Sequence, residues 1–120
     1  MQRKAFIAGV GVDIVEIGEI KKARFKTRIA EYFLTKKEQR QMPKGSKFPQ
    51  FLASRLALKE AVIKAFPEYL SPFDFRIEKK GKRPIVVFVS KERNKKYSVF
   101  ASLTHTPQIA AAIAVVHIKK

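Results

Sequence analysis

The chain has 120 residues, and its 26 Lys and Arg against 10 Asp and Glu give a formal net charge of +16. This length fits a single domain, residues 1–120, and the absence of Cys excludes disulfides, thiolate metal sites and thiol nucleophiles. The N-terminal apolar run follows Arg3 and Lys4 like a signal peptide, but Asp13 and Glu16 interrupt it. No segment reaches the roughly 20 apolar residues of a membrane span, so we expect a soluble, cytoplasmic protein that makes no membrane contact.

The large positive charge creates a field that would steer an anionic partner toward the protein. Nucleic acid, anionic lipid, an acidic protein and a polyphosphate are all candidates, because composition does not choose among them. The basic residues are spread over the whole chain. We therefore expect most of them to lie on solvated surface.

The first predicted element is a strand over residues 6–17, where apolar residues alternate with small or acidic ones. The alternating residues are Gly9, Val10, Gly11, Val12, Asp13 and Ile14. Asp13 therefore shares a face of the strand with two glycines. Residues 23–33 have the spacing of a helix, and Thr35 followed by Glu38 is a candidate capping box for a second, short helix.

The clearest predicted helix runs from about Gln50 to Phe66 and is ended by Pro67. It contains small residues at four-residue spacing, which would let another element approach closely: Ala53, Ala57, Ala61 and Ala65. Four strand-like runs follow: Phe73 to Glu78, Ile85 to Ser90, Tyr97 to His105 and Gln108 to Ile118.

Basic, turn-like segments at 81–84 and 92–96 separate these runs. The order of elements predicts an α+β fold with a mostly antiparallel sheet packed against a long helix. The sequence has neither a G-x-G-x-x-G motif nor a P-loop, so a nucleotide would have to be held in another way.

Two acids, Asp13 and Glu60, lie where a charge is unexpected, within a strand and within the long helix. One interpretation is that both coordinate Mg²⁺, whose remaining positions would go to water and substrate phosphate. The other is that Glu60 makes an exposed pair with Lys64, four residues on, while Asp13 accepts hydrogen bonds at a strand end. Spacing alone leaves both interpretations open.

Cations close to these acids would suit a pyrophosphate, since each one neutralises phosphate charge. Lys64 follows Glu60 by one turn, with Arg55 and Lys59 nearby in the same helix. Lys and Arg are also ordinary residues of exposed helix positions. His105, at a strand end before Pro107, could bind phosphate, move a proton or be structural, and we interpret His117 as structural.

Taken together, these segments resemble the holo-acyl-carrier-protein synthases, the small group of phosphopantetheinyl transferases. Five motifs of that family occur in order: G-x-D-[IL]-x-E, R-F-x-x-R-I, L-T-x-x-E, R-x-A-x-K-E-A-x-x-K-A and S-[ILV]-[ST]-H-[ST]. They lie at residues 11–16, 24–29, 34–38, 55–65 and 102–106, and an alanine-rich strand follows the last one. Each motif is weak alone, but their joint occurrence over nearly the whole chain is highly specific.

The resemblance implies that Asp13 and Glu60 hold Mg²⁺ against the pyrophosphate of coenzyme A. The residues implied to contact coenzyme A are Arg55, Lys59, Lys64 and His105. The implied reaction, in fatty acid biosynthesis, is attack by a carrier-protein serine on the β-phosphate, which releases adenosine 3′,5′-bisphosphate. Glu60 or a metal-bound water would accept the serine proton, so Glu60 and Lys64 are the catalytic candidates.

The implied partner is an acidic acyl carrier protein. A docking surface of complementary charge would be formed by Lys21, Lys22, Arg24, Lys26 and Arg28. Family members of this length are typically homotrimers with active sites at subunit boundaries. The chain departs from the family at Glu19, an acid within this docking segment, and at the turn 81–84, which is one residue longer than the family's glycine-x-proline turn.

Two other functions are weighed against this one. Phe73 and Phe75, flanked by basic segments, could stack bases in a nucleic-acid-binding protein, although no RRM, KH or zinc-finger signature is present. Their alternation with Ile77 fits the inward face of a strand better, so we expect no specific nucleic acid. A relative that binds coenzyme A without catalysis is disfavoured by the intact Asp13, Glu60 and Lys64.

Overall fold

The computed structural model describes residues 6–119, and its elements follow the α+β order predicted from the sequence. Arg3 and Lys4 lie outside the described residues. The strands are β1 (Ile7–Glu16), β2 (Phe75–Lys80), β3 (Arg83–Phe88), β4 (Tyr97–His105) and β5 (Ile109–Ile118). The helices are α1 (Ile17–Lys22), α2 (Lys26–Phe33), α3 (Lys36–Gln39), α4 (Phe48–Ala65) and α5 (Lys91–Lys96), with a 3₁₀ turn at Gly45–Lys47 before α4.

The strands form two antiparallel sheets. The larger sheet has the order β1-β5-β4, and the smaller one is the β2–β3 hairpin. Helix α4 packs across β1 and β5, and its other side contacts the hairpin through side chains. The predicted α+β fold, with antiparallel strands against a long helix, is confirmed.

Two glycines allow β1 to lie directly against the backbone of α4. A Cβ on Gly11 would lie 1.9 Å from the carbonyl oxygen of Ala61, and one on Gly9 would lie 1.9 Å from that of Ala65. Two residues of strand and four residues of helix both advance about 6 Å. The alanines at four-residue spacing and the alternating glycines therefore stay in register, and the predicted close approach is confirmed.

The opposite face of β1 is apolar and uncovered within the chain. Val10, Val12 and Ile14 are each more than half exposed, whereas the glycine face is the one that contacts α4. The alternation correctly predicted a half-buried strand, but period two does not tell which face is covered. Here the small residues face the core because a helix backbone occupies the space of their side chains.

Several predicted boundaries are wrong. The helix expected over residues 23–33 begins only at Lys26, and a separate helix, α1, precedes it. The turn expected at 92–96 is the helix α5, whose first turn is capped by Ser90 Oγ accepting from the Arg93 amide at 3.2 Å. The capping box of Thr35 and Glu38 is confirmed, with both of its hydrogen bonds present.

Phe75 and Ile77 are buried on the inner face of β2, as their alternation predicts. Phe73 precedes the strand and is exposed. A completely buried Phe75 offers no surface on which a base could stack. Among residues 6–119, no helix is both long enough and apolar enough to cross a membrane.

Gly11→Ala should destabilise the protein, because the new methyl group would overlap the Ala61 carbonyl. We expect the free energy of unfolding to fall by about 1–3 kcal/mol. Gly18→Ala is the matched control: a Cβ there meets no atom within 4 Å, and alanine favours a helix by up to about 1 kcal/mol. Urea unfolding of both variants measures the difference, and equal stability would contradict the close approach.

Candidate active site

Asp13 is paired with the ammonium group of Lys64 at the contact between β1 and α4. Lys64 Nζ donates to Asp13 Oδ1 at 2.9 Å and to the Val12 carbonyl at 3.3 Å. About half of the lysine side chain is exposed, so the pair is accessible to a ligand. The alternative predicted from spacing was a pair of Lys64 with Glu60, and Lys64 instead reaches across to the strand.

Glu60 lies one helical turn before Lys64 and is partly buried. The contacts of Gly9 with Ala65 and of Gly11 with Ala61 step four residues back along α4 for every two along β1. Continued by one step, this register sets Asp13 against the turn that holds Glu60. Asp13 and Lys64 therefore meet at this boundary, and Glu60 lies in the neighbouring turn of the same helix.

The donor set at this boundary suits a hard divalent cation. Mg²⁺ is commonly held by one or two carboxylates and completes its shell with water and substrate phosphate. The Lys64 ammonium, 2.9 Å from Asp13, already places one positive charge beside a candidate ligand. Over the described part of the chain, no group of three or more His, Cys, Asp and Glu side chains could hold a metal.

Arg55 and Lys59 do not join this group, although their sequence positions placed them near Glu60. Helical residues advance by roughly 100° each, so Lys64, nine positions after Arg55, points from the opposite side of α4. Arg55 Nη1 donates to the Ile77 carbonyl at 3.2 Å, on the side of the β2–β3 hairpin. Helix α4 thus separates two sets of predicted site residues.

Lys59 is completely buried, and its ammonium is fully used inside the protein. Nζ donates to the carbonyls of Pro72 and Phe75 at 2.6 and 2.7 Å and pairs with Glu38 Oε1 at 2.9 Å. An ammonium has three protons, and these three acceptors account for all of them. This geometry gives Lys59 a structural role and leaves it no donor for coenzyme A.

Burial lowers the pKa of both Lys59 and Arg55 from their ordinary values, and the charge of Glu38 opposes that shift. Desolvation disfavours the charged form of a base, whereas a nearby carboxylate favours it. Glu38 is therefore the counter-ion that keeps two buried cations inside the protein. The sequence marked Glu38 only as a helix-capping residue.

A groove of about 690 Å³ lies beside Arg55, within the size range of ligand sites. Its charged lining comprises Arg55, Lys79, Lys82, Arg83 and His105. His105 is exposed at the end of β4, with Nε2 3.0 Å from Gln50 Nε2. The structure therefore brings Arg55 and His105 together in one groove.

Sequence reasoning missed the three basic groove residues of the hairpin, Lys79, Lys82 and Arg83. Lys82 and Arg83 lie in the predicted turn at 81–84, which forms at Gly81, where φ is +64°, and Lys79 lies just before it in β2. The sequence contains no signal that this hairpin folds against α4, because the contacts join residues far apart in the chain, such as Lys59 with Phe75 and Arg55 with Ile77. His117 lies between the rings of Phe6 and Phe100, with centroids 6.1 and 6.2 Å away, consistent with a structural role.

The basic residues predicted to dock an acidic partner lie on or between α1 and α2. Lys21, Lys22, Arg24 and Arg28 are exposed, and Lys26 is partly buried, with Nζ donating to the Ala23 carbonyl at 3.2 Å. Glu19 is exposed on α1, in the same segment. One end of the molecule thus carries a predominantly positive surface.

Comparison with known proteins identifies relatives over most of the chain. A family model described as the 4′-phosphopantetheinyl transferase superfamily matches residues 9–114. A holo-[acyl-carrier-protein] synthase of Listeria innocua is 38% identical, over 92% of this chain and 98% of the relative. The corresponding protein of Clostridium kluyveri is 37% identical, over 95% of this chain and 92% of the relative.

Solved structures agree with this relationship. The holo-(acyl-carrier-protein) synthase of Bacillus anthracis, in complex with CoA (3′,5′-ADP), has a TM-score of 0.81 at 30% identity and covers 96% of this chain and 100% of that one. The synthase of Helicobacter pylori, in complex with coenzyme A, has a TM-score of 0.73 at 31% identity, with 89% and 98% covered. Fold and sequence therefore point to the same proteins.

Lys59→Met and Lys64→Met compare two lysines of α4 that each pair with a carboxylate. Lys59→Met leaves Glu38 buried without its cation, and we expect the free energy of unfolding to fall by about 3–5 kcal/mol. Lys64→Met removes a half-exposed pair, for which we expect a change of at most about 1 kcal/mol. Urea unfolding followed by circular dichroism gives both values, and equal losses would contradict the structural role of Lys59.

Proposed function

The chain belongs to the 4′-phosphopantetheinyl transferase superfamily, and we propose that it transfers the 4′-phosphopantetheine group of coenzyme A to a serine of an apo-acyl carrier protein in support of fatty acid biosynthesis. The observation that carries this proposal is the match to holo-[acyl-carrier-protein] synthases over more than nine-tenths of both chains. The pairing of Asp13 with Lys64 at the β1–α4 contact also fits phosphoryl transfer, because it places a carboxylate beside an ammonium group. We treat residues 1–120 as one catalytic domain.

We propose Mg²⁺ as the metal, held by Asp13 and Glu60. When bound, it would neutralise the diphosphate of coenzyme A and polarise the phosphorus under attack. Lys64 would add a positive charge next to the same phosphates, since its ammonium already lies at this boundary. Two carboxylates and one lysine are the groups that an anionic diphosphate with a divalent cation requires.

The reaction forms a bond between the serine oxygen of the carrier and the β-phosphorus of coenzyme A. The bond from that phosphorus to the oxygen of the leaving adenosine 3′,5′-bisphosphate breaks, and the serine proton must be accepted as the new bond forms. Glu60 is the candidate acceptor, through the carboxylate oxygen that would not bind the metal, because a base must reach the hydroxyl. Carrier docking on the basic α1–α2 surface would bring the serine to this position.

Arg55 and His105 are retained as coenzyme A contacts, and Lys79, Lys82 and Arg83 are added to them, since all five line the groove. Guanidinium and ammonium groups are suited to phosphate. Lys59 is left out of the binding site because its donors are used internally. Arg55, in the groove, and Lys64, at the proposed metal site, project from opposite sides of α4.

In a homotrimer with active sites between subunits, the proposed metal site of one copy and the groove of another would form one active site. The outer face of the β1-β5-β4 sheet is apolar and uncovered within the chain, since α4 occupies the other face. Rows of paired residues cross this face, such as Val10–Val115–Phe100 and Val12–Ile113–Ser102. An exposed apolar face of this kind marks a protein interface, and a closed ring would set the metal-binding side of one copy beside the groove of the next.

Asp13→Ala and Glu60→Ala should each lower turnover by roughly 100-fold or more while the protein stays folded. The assay mixes apo-carrier protein, coenzyme A and Mg²⁺ with the enzyme and follows the carrier by mass spectrometry. Glu92→Ala, at an exposed acid on α5, should retain the wild-type rate. Full activity in the presence of EDTA would contradict the metal proposal, and an unmodified carrier with the wild-type chain would contradict the function.

Two inactive variants should complement each other if the active site lies between subunits. In a ring assembled at random from Asp13→Ala and His105→Ala chains, about a quarter of the sites combine an intact Asp13 from one copy with an intact His105 from its neighbour. Co-expressed variants should therefore recover about a quarter of the wild-type rate. A rate no higher than that of either variant alone, in a mixed trimer verified by native mass spectrometry, would place both residues within one chain's site.

A further inference from the structure

Glu38 joins three elements through one buried carboxylate. Oε1 accepts from the Thr35 amide at 2.8 Å, within the capping box of α3, and pairs with Lys59 of α4 at 2.9 Å. Oε2 accepts from the Ile77 amide of β2 at 2.8 Å. The side chain is 1% exposed, so solvent cannot replace any of these contacts.

The outer edge of β2 is completed by charged side chains where another strand would normally pair. In the β2–β3 hairpin, residues 75 and 77 direct their backbone groups away from β3. The Ile77 amide donates to Glu38, the Ile77 carbonyl accepts from Arg55, and the Phe75 carbonyl accepts from Lys59. Among the three side chains, Glu38 is the acceptor and Arg55 and Lys59 are the donors, and the charge of Glu38 also balances the two cations.

These hydrogen bonds attach the β2–β3 hairpin, which forms one wall of the groove, to α4. Beyond Ile77, the same strand leads to Lys79, and the turn that follows carries Lys82 and Arg83, which line the groove. Arg55, on the facing side, is held by the Ile77 carbonyl and stacks on Phe51 with 5.0 Å between the guanidinium carbon and the ring centroid. Displacement of Ile77 would therefore change the distance between Arg55 on one side of the groove and the basic residues of the hairpin on the other.

We propose that Glu38 is a positioning residue for coenzyme A, which fixes Arg55 and the basic β2–β3 hairpin at the spacing that the groove requires. The inference rests on the proposed function, because it assigns the groove to coenzyme A. Glu38 does not touch the ligand. Loss of Glu38 should therefore weaken the binding of coenzyme A. Asp13 and Lys64, at the proposed metal site, should keep their positions.

Glu38→Gln tests this role with little change of shape. An amide has one acceptor oxygen, so its nitrogen must face either the Ile77 amide or Lys59, both of which are donors. We expect the KM for coenzyme A to rise about tenfold, with kcat and the KM for the carrier protein within about twofold of wild type. A general loss of folded enzyme would instead lower the apparent kcat and leave both KM values unchanged.

Asp74→Asn is the matched control for stability. Asp74 also accepts a backbone amide, that of Ser71 at 2.8 Å, and lies near Arg93, but it is not part of the groove. We expect Asp74→Asn to lower the melting temperature without a change in the KM for coenzyme A. An Asp74→Asn variant that raises this KM as much as Glu38→Gln would overturn the inference, since any loosened loop would then have the same effect.

Calorimetric titration of coenzyme A into the protein, without carrier, separates the inference from the function on which it rests. A wild-type chain that binds no coenzyme A overturns both. A wild-type chain that binds it, with a Glu38→Gln variant that binds equally tightly, overturns the inference alone. Should Glu38→Gln fail to fold, Thr35→Val, which removes the 3.2 Å cap on the Glu38 amide, should weaken binding about threefold, and unchanged binding would again overturn it.

Discussion

The backbone of β1 lies directly against the backbone of α4, and this contact sets the positions of both the charged site and the outer face of the sheet. It exists because Gly9 and Gly11 leave no side chain between the strand and the carbonyls of Ala65 and Ala61. At this separation, Lys64 can reach Asp13 across the boundary. The same contact turns the valines of β1 outward, so the candidate active site and the apolar outer face of the sheet have a common origin.

Helix α4 separates the charged surroundings of Lys64 from those of Lys59. On the β1 side, Lys64 is half exposed and pairs with Asp13, which leaves its charge available to a ligand. On the hairpin side, Lys59 is sealed in by Glu38 and by backbone carbonyls. Lys59 and Lys64 are five residues apart in one motif and have different physical roles. The buried ammonium group of Lys59 has all of its donors bonded within the protein, whereas that of Lys64 remains accessible.

Elements with strong local signals could be predicted from the sequence. The four-residue alanine spacing, the period of β1 and the capping box of Thr35 and Glu38 are each set by neighbours in the chain. The break between α1 and α2 and the helix α5 were missed, because basic residues suit exposed helices and turns equally well. The prediction that Arg55 and Lys59 lie near Glu60 did not anticipate the geometry. A motif gives the spacing of residues along a helix, but it does not tell which element packs against each side of that helix.

Motifs and local periodicity in the sequence are sufficient to predict the family and the α+β order of elements, and they suggest which acids and bases would serve phosphoryl transfer. How the elements pack is what shows that Lys64 pairs with Asp13, that Lys59 is buried on Glu38, and that the hairpin lysines line a groove with His105. Each of these contacts joins segments at least 20 residues apart. Such pairings depend on how whole elements pack, which no local pattern encodes.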